Sequence, residues 1–375
     1  MHVGILGGGQ LARMMALAGV PLGHQFTFID PAPDACAQNL GQLKMIGWDE
    51  PEAVAEALAD CDCVTFDFEN VPASTLAYLA KHHQVQPNPS ALKVSQDRLT
   101  EKEFFSRLGI PVAPFASVVS RPELLAAIET IGVPAVLKTR CLGYDGKGQA
   151  LIRSTEDLEA TWQQLENSDL ILEGWVDFHH ECAITAVRDL QGDIKFYPLT
   201  HTVHEQGILQ FALSPSPVNS QWQSSAEEIA RTVLDELDYV GCLTIEFFLS
   251  DKGLIVNEFA PRVHNSAHWS IEGAVCSQFE NHLRAISGQP LGQTQVHGHS
   301  LMINFIGQMP SQGMLEIPNL HWHDYGKKPR EGRKVGHATW CVHDWSGLKA
   351  GLKSFESFLN QDRYQTLSGL VELAD

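Results

Sequence analysis

LIVNEFAPRVHNSAHW, residues 254–269, is the stretch on which the reading of the chain turns. Leu254-Ile255-Val256 reads as an apolar strand, and Asn257-Glu258 end it abruptly in polar groups. Arg262, His264, Asn265 and His268 follow within ten residues of Glu258. A buried strand that runs out into converging acid, base and amide groups is where α/β proteins place a site. Twelve residues before Glu258 stands Glu246, inside a second apolar strand over 242–249. Between the strands, Ser250-Asp251-Lys252-Gly253 is a hairpin signal. A three-residue loop, Asp251 to Gly253, pairs Ser250 with Leu254 and sets Glu246 directly opposite Glu258 on one face. A two-residue loop would put them on opposite faces. Adjacent carboxylates repel unless a proton or a cation lies between them. Their hard oxygens suit Mg2+, which takes one or two carboxylates plus phosphate oxygens. Glu246 and Glu258 are therefore expected to form a metal–phosphate site.

At 375 residues the chain has room for two or three domains with their own cores. Its formal charge of −19 argues against nonspecific binding to nucleic acid or an acidic membrane. Against that background Lys327, Lys328, Arg330, Arg333 and Lys334 form one local basic cluster. No apolar run approaches the ~20 residues of a membrane helix, and the N-terminus starts a strand without a leader-like segment. The eight cysteines are scattered, without a CxxC, and read as reduced core residues. Seventeen histidines come without HExxH or a Cys/His framework, so no zinc site is expected.

The chain opens on a short strand, VGIL (3–6), that runs into Gly7-Gly8-Gly9-Gln10-Leu11-Ala12 and a helix to about Ala18. Strand QFTFID (25–30) follows and ends in Asp30. On paper this is the dinucleotide fingerprint GxGxxA with an acid closing the second strand, which makes a nicotinamide oxidoreductase a rival reading. A glycine loop at a helix N-terminus, however, holds phosphates and carboxylates of many kinds. Strands at 43–46, 63–68 and 84–87 alternate with helices at 51–60 and 74–82, the pattern of a parallel α/β domain. It is short for a complete dinucleotide domain. Glu69, in FENVP (68–72), stands at a strand end where open sheets present ligands; capping of the next helix is the alternative.

SQDRLTEKEFFSRLGIPVAP (95–114) reads as an amphipathic helix ended by Gly109 and Pro111. After a helix at 121–131, Lys138 closes strand 135–138 ahead of the loop CLGYDGKGQ (141–149). Three glycines there let backbone N–H groups wrap phosphate oxygens, and Lys138 and Lys147 add charge. GxxxxGK[ST] is absent, so this is no Walker A loop. Strand DLILE (169–173) breaks into Gly174-Trp175-Val176, backbone suited to the edge of a purine, and Glu181 could accept ribose hydroxyls. A strand at 194–199 leads to His201 and His204, and helix 223–237 returns the chain to the hairpin.

In this order the pieces resemble the ATP-grasp ligases, and within them the 5-(carboxyamino)imidazole ribonucleotide synthases of purine biosynthesis. The matching strings are GGGQLARM (7–14), FENVP (68–72), DRLTEK (97–102), LKTRCLGYDGKGQ (137–149), YPLTHTVHEQGIL (197–209), NEFAPRVHNSAHW (257–269) and GRKVGH (332–337). The resemblance implies an α/β and α+β ATP-grasp fold in three parts. These are an N-terminal α/β domain over 1–96, a central lid over 97–178, and a C-terminal domain over 179–375 that ends in a small domain from about 298. It further implies a cytoplasmic homodimer that takes ATP, bicarbonate, 5-aminoimidazole ribonucleotide and one or two Mg2+ ions. No nucleic acid, membrane or organic cofactor is expected.

Carried over by position, adenine would lie against Glu173, Gly174, Trp175 and Val176, with the ribose on Glu181. Arg98, Lys138, His204 and Asn257 would line the rest of the nucleotide site, together with Gly143, Tyr144, Asp145, Gly146, Lys147, Gly148 and Gln149. Glu246 and Glu258 would bridge Mg2+ to the phosphates. Gln10, Leu11 and Glu69 would hold the ribonucleotide, with Tyr144 and Asp145 nearby. Its phosphate would go to Lys327 and Arg333, a point charge beside a guanidinium fork. Cys141-Leu142 departs from the smaller or more polar residues expected before Gly143.

The chemistry so implied is attack of bicarbonate on the γ-phosphate once its charge is neutralised. Carboxyphosphate forms under a closed loop 143–149, and its CO2 is captured by the exocyclic amine as a carbamate. Arg262 would hold the bicarbonate, His264 and Asn265 would orient it, and His264 or the released phosphate would take the amine proton. Other ATP-grasp enzymes, such as a formate-using transformylase or a biotin carboxylase, would share Glu246 and Glu258 but use another acceptor. A nucleotide sensor would keep the site without turnover.

Overall fold

Strands that are apolar on both faces need cover on both faces, and the N-terminal residues supply it around a parallel sheet. In the computed structural model, which describes residues 1–143, 147–166, 168–216 and 220–373, its strands lie in the order Gln42–Lys44, Gln25–Ile29, His2–Leu6, Cys63–Phe66. Val3, Ile5, Phe26 and Phe28 belong to one core with helix Gln10–Gly19. Leu6, Ile29, Val64 and Phe66 pack in another with Leu58, Leu76 and Leu79. The strand expected at 84–87 is a single bridge, Val85 to Val64. Pro87 follows it, and a proline has no N–H with which to extend a ladder.

The helix expected in 95–114 stops where Gly109 was to end it, at Arg107, but starts later, at Arg98, behind a separate helix Pro89–Ser95. Asp97 divides them, because its carboxylate accepts from Leu99 N and Thr100 N at 2.9 and 3.2 Å and so caps the second helix. A small antiparallel sheet comes next, in the order Phe115–Val118, Leu170–Gly174, Ala135–Thr139, Gln149–Ile152. Helices Arg121–Ile131 and Leu158–Leu165 contribute Leu124, Ile128 and Leu165 to its core.

The remaining strands form one nine-stranded sheet. From one edge its order is Gly253–Ala260, Gly241–Ser250, His180–Arg188, Thr200–Glu205, Ile208–Ser214, His299–Ile306, Lys334–Val342, Leu320–Asp324, with Ile194–Phe196 on the third strand. Helix Gln223–Glu236 packs Ala226, Ala230, Val233 and Leu234 into a core with Ile245 and Phe247.

The deciding hairpin differs from expectation in a way that preserves its outcome. Gly253 has a positive φ of 103°, yet it pairs with Ser250, so the loop is two residues, Asp251 and Lys252. The register holds through Leu249–Leu254, Phe248–Ile255 and Phe247–Val256, and then shifts so that Glu246 faces Glu258. Asn257 is the extra residue of a β-bulge. One inserted residue reverses which face every later side chain occupies, so the bulge restores the juxtaposition that a plain two-residue hairpin would have lost.

Candidate active site

The bulged strand is the sheet's edge, and the face it shares with its neighbour looks into a cleft of about 620 Å3. Glu246, Glu258, Arg98, Arg262, His264 and Asn265 line it, as do Gln10, Leu11, Glu69, Gly143, Lys147, Lys327 and Arg333. The cleft therefore brings together residues from the N-terminal loops, the small sheet, the hairpin and the basic cluster. Tyr144, Asp145 and Gly146 lie outside the described residues.

The two glutamates sit in different electrostatic surroundings. Arg98 Nη1 sits 3.0 Å from Glu258 Oε2. Burial alone would raise the Glu258 carboxyl, but Arg98, with Lys138 and Lys102, holds it below the usual range. Burial pushes Glu246 up; His204 works against this, and the Glu258 carboxylate adds to it. His204 lies 4.0 Å from Glu246 and 3.1 Å from Glu181. Burial opposes its protonation, but the Glu181 hydrogen bond and Glu246 together raise it to about 9. The Glu181 pairing thus favours the charged form of His204.

Lys138 is buried and donates to Glu173 Oε2 at 3.0 Å, and Lys102 stands 3.5 Å from the same oxygen. Burial opposes ionisation of Glu173, yet Lys138, Lys102 and Arg98 bring it down to about 2. Burial, reinforced by repulsion from Arg98 and Lys102, lowers Lys138. The side chain of Glu173 therefore serves the lysines. Gly174 N and Trp175 N donate to Pro114 O and Pro134 O at 2.8 and 3.1 Å, so neither is the free donor expected for a purine edge.

Arg262 Nη2 forms an ion pair with Glu69 Oε1 at 3.0 Å. That oxygen and Arg262 Nε are nevertheless buried without an aligned hydrogen bond. His264 is the N-cap of the short turn Asn265–Ala267, its Nδ1 accepting from Ser266 N at 3.3 Å. Burial, then Arg262 and Lys334, keep this imidazole neutral. An Nδ1 that accepts from a backbone N–H leaves the ring proton on Nε2, so the ring is a donor there. Asn265 faces Asn304 in a reciprocal amide pair of 3.1 and 2.7 Å.

The glycine loop settles the rival reading. Gly8 N donates to Asp30 Oδ2 at 2.8 Å, and Gly9 N and Ala12 N donate to Asp67 Oδ2 at 2.8 and 3.2 Å. The amides a dinucleotide pyrophosphate would take are filled by the protein's own carboxylates. Gly7 makes room for this: at φ 105°, a Cβ there would lie 1.6 Å from Asp67 Oδ1. Beyond the loop, Gln10 Oε1 accepts from Lys327 Nζ, and Arg333 Nη1 donates to Lys328 O at 3.3 Å. Burial lowers Lys327, whose ammonium lies over the Tyr325 ring.

Sequence reasoning missed Asp67, Glu101 and Lys102. Glu101 accepts from Phe259 N at 2.8 Å, and Lys102 Nζ donates to Asn257 O at 2.6 Å. A signal was present: Arg98, Glu101 and Lys102 have the spacing of one helix face.

A carboxylate pair on a sheet edge, a buried lysine beside it and a small antiparallel sheet over them define an ATP-grasp enzyme. Residues 103–279 match the ATP-grasp domain, residues 1–96 the ribonucleotide synthetase preATP-grasp domain, and residues 300–350 the phosphoribosylaminoimidazole carboxylase C-terminal domain. The chain is 48% identical over 360 residues to the N5-carboxyaminoimidazole ribonucleotide synthase of Pseudomonas aeruginosa, covering 96% of this chain and 99% of that one. The crystal structure of the Thermus thermophilus synthetase superposes with a TM-score of 0.91 at 44% identity, covering 96% of this chain and 99% of that one. An Aspergillus clavatus synthase in complex with ADP and 5-aminoimidazole ribonucleotide gives 0.87 at 28% identity, covering 99% and 98%. The chain belongs to the N5-carboxyaminoimidazole ribonucleotide synthase family.

Proposed function

We propose that the cleft performs its family's ATP-dependent carboxylation of aminoimidazole ribonucleotide with the residues placed as follows. Glu246 and Glu258 hold Mg2+. Two carboxylates on one face, one of them raised and one lowered, would offer hard oxygens to such an ion. When bound, the ion withdraws charge from the phosphates so that an anionic nucleophile can approach. Arg98 and Lys138 add fixed positive charge at the same place, preorganised by Glu258 and Glu173.

Bicarbonate is held by Arg262, whose buried Nε has a proton to give and no acceptor among the described residues. Its oxygen attacks the γ-phosphorus, the bond to ADP breaks, and carboxyphosphate results. Collapse releases CO2 and phosphate. The amine of the ribonucleotide forms a C–N bond to CO2 and loses one proton. Because His264 already carries its proton on Nε2, it donates to an oxygen of the carboxyl group, and the departing phosphate takes the amine proton. Gln10, Leu11 and Glu69 bind the ribonucleotide, and Lys327 and Arg333 its phosphate. Lys147, lining the same cleft, adds to the nucleotide side.

The observation that carries this reading is the face-to-face pair Glu246–Glu258 in one cleft with Lys327 and Arg333. The test is ADP release with bicarbonate, with and without the ribonucleotide, and capture of 13C-bicarbonate as carbamate by NMR. Glu258→Gln is expected to abolish ADP release, and near-normal turnover would remove the metal assignment. Arg333→Ala should raise KM for the ribonucleotide far more than for ATP.

The likeness to the family also supports a homodimer, which light scattering would check, and a cytoplasmic setting fits nucleotide substrates and eight free cysteines. The domain division at about 96 and 178, with a small unit from about 298, is part of the same proposal.

A further inference from the structure

We propose that Lys102 and Glu101 are positioning residues that keep the β-bulge at Asn257, and through it the facing of Glu246 and Glu258. Continued past Phe247–Val256 without the bulge, the register would set Glu246 opposite Asn257 and turn Glu258 to the other face. A bulge interrupts the ladder and leaves backbone groups needing partners. Gly253–Ala260 is also the sheet's last strand among the described residues, with only an isolated bridge, Val112 to Val256, beyond it.

The helix Arg98–Arg107 supplies them instead. Lys102 Nζ donates to Asn257 O, the carbonyl of the inserted residue, at 2.6 Å and reaches Val256 O at 3.4 Å. Glu101 accepts from Phe259 N at 2.8 Å, one residue beyond Glu258. Pro111 O takes Val256 N at 2.8 Å on the near side. The carbonyls and amide on both sides of Glu258 are thus fixed by two side chains one helical position apart, while Arg98 of the same face holds its carboxylate. Lys102 is 1% exposed and does not line the cleft, so it acts through the backbone of the strand. Its charge is balanced by Glu173, which ties the bulge to Lys138.

The inference rests on reading Glu246 and Glu258 as the metal pair, and the experiment separates the two. Mn2+ binding to the full chain in the presence of ADP is measured by EPR for wild type, Lys102→Met, Lys102→Arg, Glu101→Leu and Glu258→Gln. Amide hydrogen exchange over 256–259 is followed in the metal-free protein, and ribonucleotide binding by calorimetry. Lys102→Met is expected to weaken Mn2+ binding about 10- to 100-fold, as loss of a ligand's support does. It should also speed exchange at Phe259 and leave ribonucleotide affinity unchanged, and Lys102→Arg should restore all three readouts toward wild type.

Mn2+ affinity in Lys102→Met within about twofold of wild type, while Glu258→Gln loses it, overturns the inference; so does equal loss of Mn2+ and ribonucleotide binding. If Lys102→Met does not fold, Glu101→Leu is read instead by exchange at Phe259 together with Mn2+ affinity, because Glu101, unlike Lys102, lines the cleft; unchanged exchange at Phe259 overturns the inference. If Glu258→Gln keeps Mn2+ binding, the metal reading fails instead, and unchanged exchange at Phe259 in Lys102→Met would then sink the bulge assignment by itself.

Discussion

On the proposed metal reading, a cation and a proton would compete for the same oxygens of Glu246. Burial and the facing Glu258 carboxylate raise its carboxyl above the ordinary range, so lowering the pH fills the site with a proton that Mn2+ must displace. Mn2+ affinity is therefore expected to fall as pH drops, approaching about tenfold per pH unit once that carboxyl is protonated. Glu246→Gln should bind weakly and show little of this slope; an equally steep slope in that variant would move the competing proton elsewhere. The pair and the basic residues were legible because they interrupt apolar patterning or stand out from an acidic background. Lys102 and Asp67 were not. Their partners are backbone groups 155 and 58 residues away, and only folding brings them together.

Elements carry the next level of information, and here local reading divided. Alternation placed the hairpin, and the glycine motif placed a tight loop before a helix. Neither told how many residues the hairpin loop holds, because a bulge and a loop of one more residue give the same final facing. Nor could the motif say what fills its amides, since that depends on Asp67 from another strand. The loop itself makes a sharp prediction. Gly7→Ala would force a side chain into Asp67 at a φ that suits glycine alone. Backbone strain of that kind costs about 1–3 kcal/mol before any clash is counted. Urea unfolding should show at least that loss, with weaker ribonucleotide binding as Gln10 is displaced. Full stability in that variant would mean Asp67 does not occupy the loop.

For the molecule as a whole, buried imidazoles contribute to the response to acid. His282 joins the N-terminal sheet to the large one, its Nε2 at 2.9 Å from Thr65 Oγ1 and its Nδ1 accepting from Cys242 N at 3.1 Å. Burial lowers it to about 4, from 6.5 in the unfolded chain. The fold keeps the neutral form, so this contribution is complete above pH 6.5 and is lost as pH falls toward 4, a span of roughly 3 kcal/mol. His201, lowered by burial to about 3, acts in the same direction. His204, raised to about 9, has the opposite sign: its contribution is present below 6.5 and lost as pH rises through 9. Urea denaturation of the metal-free chain should therefore show greatest stability near neutrality, and His282→Asn should flatten the acid limb. An unchanged acid limb would place the sensitive group elsewhere.

The large sheet runs without a break from the edge strand carrying Glu258 to Lys334–Val342, the strand that follows the basic turn. With the substrates placed as proposed, the gap between phosphoryl donor and amine acceptor would be a main-chain dimension, gauged by hydrogen-bonded ladders instead of by mobile side chains. A lineage could then exchange one acceptor for another by rewriting the turn at 327–333 and the loop at 7–12. The half that energises bicarbonate would stay in alignment throughout.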